Sequence, residues 1–173
     1  MGTAANGQTA AENEAKTRDL YERVWNQRQL GLIAEWVTPD FVGHWSASPE
    51  PVRGVEGFRQ MADELLTAFP DLQMTVEETV AARDKVVSRI RMTGTHTGPM
   101  LGFQPTGQRV DVTYLAMERY SGGRCVEEWV RSDDLGLSRQ IGALPSPGSV
   151  GERIALLLHR LTAARLRRQA RAS

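Results

Sequence analysis

The chain has 173 residues, 40% apolar and 24% charged, with a formal net charge of zero, the balance of an ordinary globular protein. Zero net charge leaves no whole-molecule field to attract nucleic acid or a membrane surface. The single Cys125 excludes an internal disulfide, and no apolar run approaches the ~20 residues that a membrane span needs.

The first residues, MGTAANGQTAAENEAK, lack the apolar core of a secretory signal, so a cytoplasmic protein is expected. Residues 1–12 are small and polar and are expected to be disordered. From Asn13 the spacing becomes helical, with Ala15, Leu20, Tyr21, Val24 and Trp25 on one side of a helix ending near Gln29. A second, short helix around Leu32, Ile33, Trp36 and Val37 should stop at Thr38-Pro39, since proline cannot continue it. Phe41 to Trp45 reads as a short strand. A third helix runs from about Val55 to Phe69, with Phe58, Met61, Leu65, Leu66 and Phe69 inward.

Beyond Pro70-Asp71 the period changes to two. Leu72 to Val80 alternates, Arg83-Asp84 turns, and Lys85 to Thr95 alternates again. Gly98 to Gly107 is a Gly- and Pro-rich loop. Val110 to Tyr120 is a further strand, joined by Ser121-Gly122-Gly123 to a last strand from Cys125 to about Asp133. Helices followed by antiparallel strands predict an α+β fold, a curved sheet whose helices enclose a cone-shaped cavity. This domain spans 13–142, 143–148 is a linker, and 149–173 is an appended helix and tail. Ser149 and Glu152 form a capping box there, and Ile154, Leu157, Leu158 and Leu161 an apolar stripe. Six arginines lie between Arg153 and Arg171, but no stacking aromatics accompany them, so no nucleic-acid partner is expected.

The last strand carries the densest chemistry. Unless a bulge intervenes, Glu127, Trp129, Arg131 and Asp133 share one face, three charges around an indole. Asp134 points the other way, so the two aspartates cannot act as a dyad. Asp133 is read either as a pocket acid/base or as a cap or ion pair at the end of the last strand. His44 and His96 are pocket or loop-anchoring candidates. Tyr21, Trp25, Trp36, Trp45, Met61, Phe69, Tyr114 and Met117 serve the core or wall a planar ligand. No two histidines have ligand spacing and no cysteine pair exists, so no metal is expected. GxGxxG, phosphate-loop and GxSxG patterns are absent, which argues against a nucleotide cofactor or a serine nucleophile.

An ordered series of motifs carries a resemblance. It comprises Tyr21, Trp25-Asn26, Asp40-Phe41-Val42 with His44, Gly54-Val55-Glu56-Gly57 and Ala68-Phe69-Pro70-Asp71-Leu72. It continues with Asp84 to Val87, Gly94 to Gly98, Pro105-Thr106-Gly107, and Gly122-Gly123-Arg124 with Glu127, Trp129, Asp133 and Gly136-Leu137. From Asn13 to Gly142 the chain resembles the SnoaL-like polyketide cyclases of the nuclear transport factor 2-like (cystatin-like α+β barrel) superfamily. The resemblance implies a cofactor-free cyclase for a polyketide-like small molecule in antibiotic-type biosynthesis. It makes Asp133 the general acid/base of an aldol ring closure, with His44 beside it. Tyr21, Tyr114, Trp129, Arg131 and His96 are then substrate-binding candidates. It also implies a homodimer or homotetramer. No histidine lies between Val110 and Glu128, where family cyclases carry one near the aspartate. The scaffold also serves epoxide-opening enzymes, hydroxylase-type partners and non-catalytic ligand-binding modules, which stand as alternatives.

Overall fold

The structure is a computed structural model, described for residues 9–46, 48–100 and 102–170. Helix α1 (Ala10–Leu20) starts earlier than its apolar spacing suggests. Thr9 accepts from the Glu12 backbone N–H at 3.2 Å while Glu12 accepts from Thr9 at 2.7 Å, a reciprocal cap that fixes the start. The disorder expected over 1–12 therefore fails at residues 9–12, and residues 1–8 lie outside the described residues. The helix widens into a π-helical turn at Tyr21–Asn26, which buries Tyr21, Val24 and Trp25 together. It ends there because Arg28 takes a left-handed φ of 62°. The Arg28 guanidinium then holds the carbonyls of Pro70 at 2.9 Å and Leu72 at 2.8 Å.

Helix α2 (Ile33–Trp36) is a single turn, and β1 (Val37–Trp45) begins directly after it. Pro39 lies inside β1, in the stretch where its pairing with the last strand skips from Val37 to Val42, so its missing N–H removes no ladder bond there. A short β2 (Val52–Arg53) and helix α3 (Gly54–Ala68) follow. Then come β3 (Gln73–Ala82), β4 (Lys85–Thr95), β5 (Arg109–Ser121) and β6 (Arg124–Ser132). Gly122 and Gly123 both have positive φ, 55° and 77°, as a tight two-residue hairpin between β5 and β6 requires. Helix α4 (Asp134–Gln140) packs against β5, and α5 (Val150–Ala170) stands beyond the 143–148 connection.

The six strands form one curved, unclosed sheet in the order β2-β1-β6-β5-β4-β3, the α+β architecture read from the sequence. Every pairing is antiparallel except β1 with β6, which is parallel. Helices α1 to α3 cover the concave side. Phe58 of α3 sits at its centre, with ring centroids 5.4 Å from Trp36, 5.6 Å from Phe41 and 5.4 Å from Trp45. Burial along β5 alternates without a break, turning Val110, Val112, Tyr114, Ala116, Glu118 and Tyr120 inward. One member of that apolar series is a glutamate.

Helix α5 is stapled at its start as expected, although the return bond from Glu152 goes to the Gly148 N–H, at 2.6 Å, rather than to Ser149. Its stripe is not core: Ile154, Leu157 and Leu158 remain more than half exposed. Among the described residues, no helix is long and apolar enough to cross a membrane.

Candidate functional site

A bulge decides which side chains of β6 face inward. Tyr120 pairs with Cys125, but the next residue back on β5, Arg119, pairs with Glu127. Val126 is therefore an extra residue on β6. A one-residue insertion reverses the facing of everything beyond it. Cys125 points inward, and after the bulge Glu128 and Val130 follow it. Glu127, Trp129 and Arg131 point outward.

The expectation that the last three share the cavity side is thus corrected. His44, Trp129, Arg131 and Glu127 do come together, but on the convex face. The His44 and Trp129 rings stack at 5.4 Å and 14°. His44 Nε2 meets Glu127 Oε1 at 3.1 Å, and Arg119 donates to Glu127 Oε2 at 2.8 Å. Arg119, then His44, hold the Glu127 carboxyl below its usual range despite some burial. Arg131 donates to the carbonyls of His44 and Val130, not to a pocket.

The expected facing of Asp133 is corrected as well. It is exposed and is the N-cap of α4, accepting from the Gly136 N–H at 2.8 Å. Asp134 accepts from the Ser132 hydroxyl. His96 is fully buried at the root of the 98–107 loop. Its Nδ1 meets Thr106 Oγ1 at 3.1 Å, and its carbonyl accepts from Thr106 and Gly107.

The concave face holds a different constellation. Glu118 on β5 and Glu128 on β6 are register partners, both inward and both buried, at 0% and 4% exposure. Glu128 Oε2 accepts from Trp45 Nε1 at 2.8 Å. Gly43, two residues before Trp45 on β1, makes room for that indole: a Cβ there would stand 3.0 Å from the Trp45 ring. Neither oxygen of Glu118 has a hydrogen-bond partner among the described residues, nor has Ser88 Oγ on neighbouring β4. No Arg, Lys or His lies within ion-pair distance of either carboxyl among the described residues. Burial raises Glu128 to about 7, partly offset by the Trp45 N–H. Burial first, then the adjacent Glu128, pushes Glu118 well above the carboxylate range.

Three residues singled out in the sequence belong to this constellation, Trp45 with Tyr21 and Tyr114. Tyr21 lies close to Tyr114, whose hydroxyl donates to Met74 Sδ at 3.2 Å. Burial raises both phenols, so both remain O–H donors at neutral pH. Glu118, Glu128 and Ser88 were not singled out from the sequence. The signal for Glu118 was present, as the one acid in a period-two apolar series. Glu128 was hidden by the bulge. Two clefts lie elsewhere. One of about 240 Å³ is bounded by Arg139, Leu144, Glu152 and His159 at α4 and α5, and one of about 140 Å³ by Lys16, Glu35 and Trp36 at α1 and α2. Neither includes the carboxyl pair. Among the described residues no three His, Cys, Asp or Glu side chains group as metal ligands.

Comparison with known proteins adds to this geometry. The family model for SnoaL-like polyketide cyclase matches residues 15–141. No curated protein matches the sequence at a significant level. A candidate SnoaL-like polyketide cyclase from Jannaschia sp. CCS1 is 26% identical, with a TM-score of 0.72, over 84% of this chain and 99% of that one. AclR, a candidate hydroxylase from Streptomyces galilaeus, is 32% identical over 91% of this chain and 98% of its own, with a TM-score of 0.71. IdmH, a candidate polyketide cyclase from Streptomyces antibioticus, is 29% identical over 78% of this chain and 99% of its own, with a TM-score of 0.64.

Proposed function

The chain belongs to the SnoaL-like polyketide cyclase family, and from that premise we propose that it closes a ring in a polyketide-like small molecule by acid–base catalysis at Glu128. The supporting observation is the Glu128 carboxyl: on the concave face, held by Trp45 and raised to about 7. A base is most useful when its pKa lies near the working pH, because it is then both available and strong enough.

A carbon between two carbonyls carries an acidic proton, and Glu128 takes it. The resulting enolate carbon attacks a second carbonyl of the same molecule. Most of the acceleration in such a closure comes from holding a flexible chain in its closing geometry. Tyr114 and Tyr21, both protonated at neutral pH, lie on the same buried side as the carboxyl pair. Asp133, already engaged by the Gly136 N–H and exposed, serves this reading as a helix cap.

The test is turnover of an aromatic polyketide ester bearing such a carbon, without added cofactor, followed by mass spectrometry. A ring-closed product made by the wild type and lost in Glu128→Gln supports the reading. Equal product from both proteins refutes it. The likeness to AclR favours one second reading, hydroxylation of the same substrate class. Incorporation of labelled oxygen in place of ring closure would select it.

A further inference from the structure

The carboxyl pair is asymmetric in a way that divides its labour. Glu118 and Glu128 face each other across the β5–β6 ladder, so their side chains leave adjacent positions on the same face. Glu128 has an N–H donor in Trp45 that stabilises its charged form. Glu118 has no side-chain donor and no solvent. Two like charges so placed cannot both be carried, and the one with a donor is carried first.

We propose that Glu118 and Glu128 act as a split pair at neutral pH, with Glu118 a carboxylic acid that gives a proton and Glu128 a carboxylate that takes one. This rests on the ring-closing role of Glu128 and assigns the second half of the proton traffic. Glu128 removes the carbon-bound proton. The enolate carbon forms its bond to the acceptor carbonyl carbon, the carbonyl π pair moves to oxygen, and that oxygen takes the proton of Glu118. The cycle ends with Glu118 ionised and Glu128 protonated, and one proton passing back between them restores the start. No oxidant or co-reactant is consumed.

The surroundings fit a neutral acid at Glu118. The titratable groups bearing on the pair are Tyr21 from the π-helical turn, Tyr114 and Tyr120 from β5 and Cys125 from β6, all held protonated by burial. The residues of α3 that reach the core are all apolar, Phe58, Met61, Ala62 and Leu65 among them. From α1 the buried polar groups are Asn13 and Thr17, and from β4 Ser88, all uncharged. Ser88 gives independent support. Its buried hydroxyl lacks a partner on the same inward face, in register with Ala116, two residues from Glu118. Unpartnered buried oxygens on neighbouring strands leave hydrogen-bonding capacity that a polar ligand group can take up.

Infrared spectroscopy reads the proton directly, whatever the substrate. The C=O stretch of a buried protonated carboxyl should persist in the wild type above the pH at which Glu128 ionises. It should vanish in Glu118→Gln and remain in Glu128→Gln. Titration of wild-type protein labelled with ¹³C at the glutamate carboxyls gives the same answer without a variant. In turnover the wild type should show a bell-shaped pH profile, and Glu118→Gln should lose the alkaline limb with at least about tenfold in kcat. No persistent carboxylic acid signal, or an unchanged profile in Glu118→Gln, overturns the split pair. A Glu128→Gln protein that still turns over while the Glu118 signal persists would instead overturn the ring-closing role of Glu128.

Discussion

Strands β5 and β6 carry two glutamate-centred clusters, back to back through one sheet. Outside, Glu127 sits between Arg119 and His44, its charge matched and its carboxyl lowered. Inside, Glu128 sits one residue further along, with an indole N–H and another glutamate for neighbours, and its carboxyl is raised. Side-chain chemistry is the same in both; desolvation and the nearest charge set opposite behaviour. A carboxylate surrounded by arginine is a strut. One deprived of water and cations becomes a proton carrier near neutral pH.

The largest expected effect separates the faces by activity. Glu128→Gln should lower turnover by ~10² or more while leaving the fold intact. Asp133→Asn should keep turnover within about threefold, because asparagine also caps a helix. Comparable losses in both variants would return the acid/base role to the end of the strand.

Next comes the pH dependence of stability. The Glu128 pKa is about 7 in the folded protein against 4.5 ordinarily, so its stabilising contribution is complete below the ordinary value and is lost as pH rises through about 7. At ~1.4 kcal/mol per unit this is at most roughly 3 kcal/mol. Glu127 has the opposite sign: its contribution is present above the ordinary value and lost as pH falls through its lowered pKa. Urea unfolding from about pH 5 to about pH 8 should therefore show a falling stability whose slope lessens in Glu128→Gln, where Glu118 alone still holds its proton, but is kept in Glu127→Gln. A slope unchanged in Glu128→Gln would mean the Glu128 carboxyl does not titrate in that range.

A smaller effect concerns the donor. The Trp45 N–H lowers the Glu128 pKa, so Trp45→Phe should move the acid limb of the pH–rate profile to higher pH and cost about tenfold near neutrality. Gly43→Ala should do part of the same by crowding the indole. An acid limb unmoved in Trp45→Phe would disconnect the indole from the carboxyl.

How far the sequence revealed this arrangement depends on period and register. The strand turns at Arg83-Asp84 and Gly122-Gly123, and the alternation of β4 and β5, were legible because solvent and core impose a period of two. The start of α1 was misplaced because Thr9 and Glu12 lie before the apolar spacing begins. The facing of β6 was misread for a sharper reason. Val126 is an ordinary strand residue, and nothing in its chemistry announces an insertion; only pairing with β5 makes it extra. Glu118 needed no such information, since an acid in step with Val110, Val112, Tyr114 and Ala116 was already out of place.

The smallest effect is expected on the outer face. His44→Ala removes a stacked ring and one partner of Glu127, but Arg119 remains within 2.8 Å of the same carboxylate. These side chains keep a quarter or more of their surface in water, where an ion pair contributes only ~0–1 kcal/mol. Turnover should be unchanged within about twofold, and the small loss in stability should shrink in high salt as screening weakens the pair. A large loss of turnover in His44→Ala, with normal folding, would mean that the convex cluster reaches the reaction after all, and the division of the two faces by environment would fail.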